Sequence, residues 1–238
     1  MTGHADPGGD YAVRRVSYTA GELLEHQLEP TPLAQFECWY ADAVQAGIPE
    51  PNALVLATVG VDARGVPTAP SARTVLLKEA DRRGFVFYTN YASRKGRQIE
   101  GSSGRVALVF PWHPVQRQVG VLGTAERVPA AESRAYFTSR PWASRIGAWA
   151  SRQSQPVADR AGLERRYAEL AERWPDRGSP DDVPVPEHWG GYLVRAVELE
   201  FWQGRPSRLH DRLAFVSASG APAPLDDASS WRLERRQP

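Results

Sequence analysis

Between Ala53 and Val128 the chain carries five short apolar runs separated by turn signals, and no other feature limits its possible folds as tightly. ALVLATVG is followed by a turn at Asp62 to Gly65, and TAPSARTVLLKE by one around Arg82 to Gly84; FVFYTN, RVALVFPW and QRQVGVLGTAERV come next. Turns this short bring a strand back beside its predecessor, so the pattern predicts an antiparallel meander. One short helix interrupts it, SRKGRQIE, with Ser93 as its cap.

Upstream, Thr31 and Pro32 open a helix running to about Ala46, with Leu33, Phe36, Tyr40, Ala43 and Val44 as its apolar face. Downstream, Ala130 to Arg140, WASRIGAWAS after Pro141, and ADRAGLERRYAELAERW read as three helices. Strands resume with GYLVRAVELEFWQG, RLHDRLAFV and a short run near Trp231. A sheet that returns after a helical insert closes a barrel more readily than it builds a second domain. The expectation is therefore an α+β chain, mainly β: one closed or nearly closed barrel with helices packed outside. Residues 31–238 form this single domain, 1–30 an N-terminal tail that is partly disordered, and 175–187 an acidic proline-rich loop.

Composition excludes several functions. Lys and Arg number 29 against 28 Asp and Glu, interspersed, so nothing resembles the basic field of a nucleic-acid binder. No apolar stretch approaches membrane-spanning length and the first 30 residues lack a secretory apolar core, which predicts a cytoplasmic protein off the membrane. The lone Cys38 has no disulfide partner, and its neighbours Phe36 and Trp39 predict a buried structural thiol. The five histidines lie far apart without ligand spacing, so no metal is expected. Dinucleotide-fold, Walker and nucleophile-elbow motifs are all missing.

Four polar clusters remain. Strand alternation in RTVLLK puts Arg73, Val75 and Leu77 on one face and Thr74, Leu76 and Lys78 on the other. Tyr88 and Thr89 end a strand just before Ser93, Arg94 and Lys95 open a helix, a combination suited to a phosphate. Tyr136 and Arg140 lie four apart on a helical face, with Ser144 just beyond Pro141, as a second anion pocket. In EFWQGRPSRLHDR, Trp202 offers a flat platform, and Arg208 and His210, two apart on a strand, share a face. Of the basic residues only Lys78 and Lys95 are lysines, and both fall in these clusters. Two phosphate-sized sites beside an aromatic platform suggest a phosphorylated cofactor and a phosphorylated substrate held side by side.

In these strings, together with FPWHPVQRQV, YFTSRP and IGAWASRQS, the chain from about Pro51 to Trp231 resembles the pyridoxine/pyridoxamine 5′-phosphate oxidases. The resemblance implies a split β-barrel homodimer with flavin mononucleotide (FMN) at the subunit interface. It implies that FMN is held by Arg73, Thr74, Val75, Leu76, Leu77, Lys78, Tyr88, Thr89, Arg94, Lys95, Gln118, Gln153, Ser154, Trp202 and Arg212. It assigns the phosphorylated B6 vitamer to Lys78, Tyr136, Arg140, Ser144, Arg208 and His210, the last two acting at the reacting 4′ carbon, with dioxygen reduced to hydrogen peroxide. Two rival readings share the scaffold: a phenazine-type flavin oxidase of secondary metabolism, and a split-barrel protein that holds flavin or pyridoxal phosphate without turnover.

Overall fold

The computed structural model describes residues 17–238. Eight strands are present: β1 (Ala53–Val61), β2 (Pro67–Asp81), β3 (Gly84–Asn90), β4 (Arg105–Trp112), β5 (Arg117–Arg127), β6 (Trp189–Gln203), β7 (Asp211–Ser217) and β8 (Trp231–Arg235). The sheet order is β3-β2-β1-β4-β5-β6-β7-β8, and β3 also pairs with β6, so six strands close a ring from which β7 and β8 extend. Every pairing is antiparallel. The closure joins Phe85–Asn90 to Trp189–Val194, in register from Phe85 opposite Val194 to Asn90 opposite Trp189.

Of the segment expected as a tail, residues 1–16 lie outside the described residues. Residues 17–30 are mostly exposed but anchored at Leu23, which is buried; its N–H donates to Asp211, and Arg235 donates to its carbonyl. Helix α1 (Pro32–Gln45) starts as expected, with the Thr31 hydroxyl accepting from the Ala34 N–H. Its inner face is the expected one at Leu33, Phe36, Tyr40 and Ala43, with Trp39 added and Val44 left out. Phe36, Trp39 and Ala43 enter the barrel core against Phe85, Phe110 and Phe201, while Val44 is 53% exposed. Cys38 is exposed rather than buried, because a residue sits about 100° further round a helix than its neighbour and Cys38 falls outside the Phe36–Trp39–Ala43 stripe.

Helices α2 (Arg94–Gly101), α3 (Ala130–Ser139), α4 (Trp142–Ala150) and α5 (Arg160–Arg173) are the other α-helices among the described residues. A second core of Phe137, Ile146, Val183 and Trp189 joins α3 and α4 to the segment after α5. Residues 175–187 are irregular, as expected, but are bolted to α4. The Arg145 guanidinium donates to the Ser179 and Pro180 carbonyls, and the indoles of Trp142 and Trp149 donate to the carbonyls of Trp174 and Pro184. The helical insert thus lies against the β3–β6 seam, where the cavity forms.

Candidate active site

A cavity of about 690 Å³ opens between β2, β3, the start of β6 and the helices α3 and α4. Eleven of the sequence-predicted residues line it: Thr74, Val75, Leu76, Lys78, Tyr88, Thr89, Lys95, Tyr136, Arg140, Ser144 and Gln153. They form two clusters.

In the first, the Ser93 hydroxyl accepts from the Gly96 N–H and starts α2, which buries Lys95 in the next turn. The Lys95 ammonium donates to Thr89 Oγ1 at 3.0 Å and to Gln153 Oε1 at 2.8 Å. Burial first, and then the positive charge of Arg73, push its pKa down to about 8. Arg73 is itself lowered by burial and by Arg94. On β2, its guanidinium donates to the Leu56 carbonyl and to the hydroxyls of Thr58 and Ser71. Three cations crowd together here, and none has an ion-pair partner among the described residues. That is the environment of an anion site, and its donors suit a phosphate monoester.

The second cluster is held by aromatic faces. Lys78 Nζ lies 5.9 Å from the Tyr136 ring centroid, and the Arg140 guanidinium lies 4.9 Å from that of Trp189. Burial lowers the Arg140 pKa, and its Nη1 is buried with no hydrogen-bond partner. Arg140 and Tyr136 do not share a helical face as expected. Arg140 lies one residue past α3 with an extended backbone, because Pro141 follows and disfavours a helical residue before it. Ser144 lies in the first turn of α4, as expected.

The remaining residues do not line the cavity. Leu77 points into the barrel core, and its N–H donates to the Asn52 carbonyl. Arg94 is exposed at the start of α2, and Ser154 is exposed with φ +70° beyond α4. Gln118, Trp202 and Arg212 stand opposite one another on β5, β6 and β7, one row across three strands. His210 packs on Trp202 with centroids 4.7 Å apart, and Arg212 donates to both carboxylate oxygens of Glu200. Arg208 and His210 are not on a strand. They belong to a turn in which Ser207 and Arg208 have φ +57° and +63°; His210 Nδ1 accepts from the Arg205 N–H, and Arg208 is exposed.

Gln118, Trp202, Arg208, His210 and Arg212 are all absent from the cavity lining within one chain. Trp189 lines the cavity at the first residue of β6, and Trp202 is thirteen residues on, up to about 43 Å of strand.

Sequence reasoning missed Trp189, Asn90 and Ser151 on the cavity wall, and Tyr18, whose ring meets Trp202 and His210. The Gly190–Gly191 pair was the available signal for Trp189. A methyl group at Gly190 would lie 2.1 Å from Tyr91 Oη, and one at Gly191 2.8 Å from the Tyr88 ring.

The chain matches the family model described as pyridoxamine 5′-phosphate oxidase over residues 40–173. It matches that described as the pyridoxine 5′-phosphate oxidase C-terminal dimerisation region over 189–238. A pyridoxine/pyridoxamine 5′-phosphate oxidase of Kineococcus radiotolerans is 62% identical over 98% of this chain and 99% of that protein. One of Thermobifida fusca is 50% identical over 96% and 98%. Among solved structures, PhzG from Burkholderia lata 383, in complex with tetrahydrophenazine-1-carboxylic acid, superposes with a TM-score of 0.76 at 28% identity, over 91% of this chain and 98% of that one. An FMN-binding protein of Nostoc punctiforme, related to the pyridoxamine 5′-phosphate oxidases, shares the fold with a TM-score of 0.62 at 16% identity, over 85% and 97%.

Proposed function

The chain belongs to the pyridoxine/pyridoxamine 5′-phosphate oxidase family, and on that premise we propose that it oxidises pyridoxine or pyridoxamine 5′-phosphate to pyridoxal 5′-phosphate with FMN as cofactor. The observation that carries this reading is a set of cations with no carboxylate paired to them among the described residues: Lys78, Lys95 and Arg140 on the wall of one cavity, and Arg73 and Arg94 beside Lys95. One phosphate would leave part of that charge unanswered. Two phosphates, one from cofactor and one from substrate, match its division into two clusters.

Arg73, Arg94 and Lys95, with Thr89 and Gln153, would hold the cofactor phosphate, and the β2 edge from Thr74 to Lys78 would line the flavin. Lys78, Tyr136, Arg140 and Ser144 would hold the substrate phosphate. The chemistry a bound flavin supplies is acceptance of the hydride leaving the 4′ carbon, with dioxygen as final acceptor and hydrogen peroxide as co-product. The protein's part is to fix that carbon against the flavin and exclude water. Arg208 and His210 would orient the 4′ hydroxyl or amine, with Gln118, Trp202 and Arg212 alongside the flavin.

Because that last group lies at the far end of β6 from its own cavity, a second copy of the chain would supply it. The match of residues 189–238 to a dimerisation region supports a homodimer with two such composite sites. The phenazine-type alternative is less well supported. The molecule bound to PhzG is a carboxylic acid without phosphate, whereas Lys78, Tyr136, Arg140 and Ser144 together suit a phosphate dianion.

Oxygen uptake by FMN-loaded protein tests the reading. Pyridoxine or pyridoxamine 5′-phosphate should drive oxygen consumption and peroxide formation, and unphosphorylated pyridoxine should do so poorly. Equal rates with and without the phosphate, or a protein unable to take up FMN, would overturn it.

A further inference from the structure

We infer that Trp189 is the positioning residue for the Arg140 guanidinium and thereby sets how tightly the site grips a phosphorylated ligand. The inference rests on the reading of the cavity as a site for a phosphorylated B6 vitamer.

Among the described residues, only aromatic rings hold the Arg140 guanidinium. It follows the last turn of α3, makes no ion pair among the described residues, and leaves Nη1 buried without a partner. What it does have is the indole of Trp189, 4.9 Å from the guanidinium carbon, with the Phe137 ring at 5.7 Å. A carboxylate would hold the guanidinium equally well but would neutralise it and occupy its N–H groups. An aromatic face attracts the cation while leaving the in-plane donors free for an incoming anion.

Trp189 is in turn held rigidly. It is 8% exposed, packs edge-on against Phe137 at 5.0 Å, and its plane lies within 12° of Tyr88 and 8° of Tyr136. Tyr88 and Tyr136 stack on each other at 4.0 Å, and Tyr136 also faces Lys78. One ladder of three rings therefore serves both cations of the second cluster. Gly191 maintains it, since any side chain there would strike the Tyr88 ring.

The test is a double-mutant cycle on the FMN-loaded protein: Trp189→Leu and Trp189→Phe, each with Arg140 intact and with Arg140→Ala. Pyridoxal 5′-phosphate binding is measured by equilibrium dialysis, and kcat and KM with pyridoxine 5′-phosphate. With Arg140 intact, Trp189→Leu should weaken binding and raise KM by about 3- to 30-fold, and Trp189→Phe by less, because a phenyl face retains part of the attraction. The loss should fall on KM more than on kcat. With Arg140→Ala, either change should cost less than about twofold, since its effect is transmitted through the missing guanidinium. Equal losses in both backgrounds, or none with Arg140 intact, would overturn the inference. Should Trp189→Leu not fold, the Trp189→Phe cycle decides alone. If the wild-type protein binds pyridoxal as tightly as its phosphate, the reading of the cavity fails and the inference falls with it; if it prefers the phosphate and the cycle is additive, only the role of Trp189 is lost.

Discussion

At the scale of single residues, Lys95 shows what burial does to a cation. Lys95 lines the cavity with its ammonium between Thr89 and Gln153, its pKa pushed down from 10.5 to about 8. Below pH 8 both folded and unfolded chains carry the charge, so folding bears the full cost of burying it, on the order of 3 kcal/mol. That cost fades as pH rises from 8 towards 10.5, where the folded chain has released the proton and the unfolded chain has not. A bound phosphate reverses the balance by stabilising the ammonium, so binding takes up a proton above pH 8. FMN affinity, followed by flavin fluorescence quenching, should therefore fall by up to about tenfold per unit above pH 8. In Lys95→Met it should be weaker and flat with pH; a Lys95→Met profile as steep as wild type would remove Lys95 from the phosphate site.

At the scale of elements, the irregular stretch 175–187 is a clamp on α4, the helix that presents Ser144 to the cavity. The Arg145 guanidinium is buried and tied to the carbonyls of Ser179 and Pro180. A hydrogen bond to a charged group is worth roughly 1.5–3 kcal/mol, and for a chain of this size each kcal/mol shifts Tm by about 2–4 °C. Arg145→Ala should therefore lower Tm by about 3–12 °C and expose the 175–187 segment to limited proteolysis. An unchanged Tm and cleavage pattern would show that the loop is held by its apolar contacts alone. The turn before β7 is the opposite case, with an exposed Arg208 and two consecutive non-glycine residues at positive φ. Arg208→Ala should lower kcat/KM with a clear part of the loss in kcat, and His210→Ala should do so more mildly, both with normal flavin content. Wild-type turnover of both variants at saturating substrate would leave the turn without a role in the chemistry.

At the scale of the whole molecule, β6 separates the two halves of the proposed site, Trp189 at its first residue and Trp202 near its end. If each site combines the cavity of one copy with the 202–212 group of another, two impaired variants should complement each other. Arg140→Ala and Arg208→Ala subunits, unfolded together and refolded, would form mixed dimers in which one site carries both changes and the other carries neither. Random pairing predicts recovery of about a quarter of wild-type activity. No recovery, although mass spectrometry detects mixed dimers, would mean that each chain builds its site alone.

The strands and turns were legible from Ala53 to Arg127 because alternation and turn residues act locally, through side-chain period and backbone conformation. The caps of α1 and α2 were equally legible, since Thr31 and Ser93 satisfy N–H groups three residues away. So were eleven of the residues that line the cavity, among them both lysines of an arginine-rich chain, Lys78 in RTVLLK and Lys95 in SRK. Tertiary structure alone decided which residues meet. The β3–β6 pairing brings Trp189 to Tyr88 across a hundred residues, and no local pattern encodes such a pairing, which follows from burying both strands in one closed sheet. It also decided which stripe of α1 faces inward, leaving Cys38 and Val44 in solvent, because the barrel core selects the helix face that fits it. The turn at Ser207 and Arg208 was illegible for a related reason: positive φ at two non-glycine residues opposes local preference and persists only because the surrounding fold holds it.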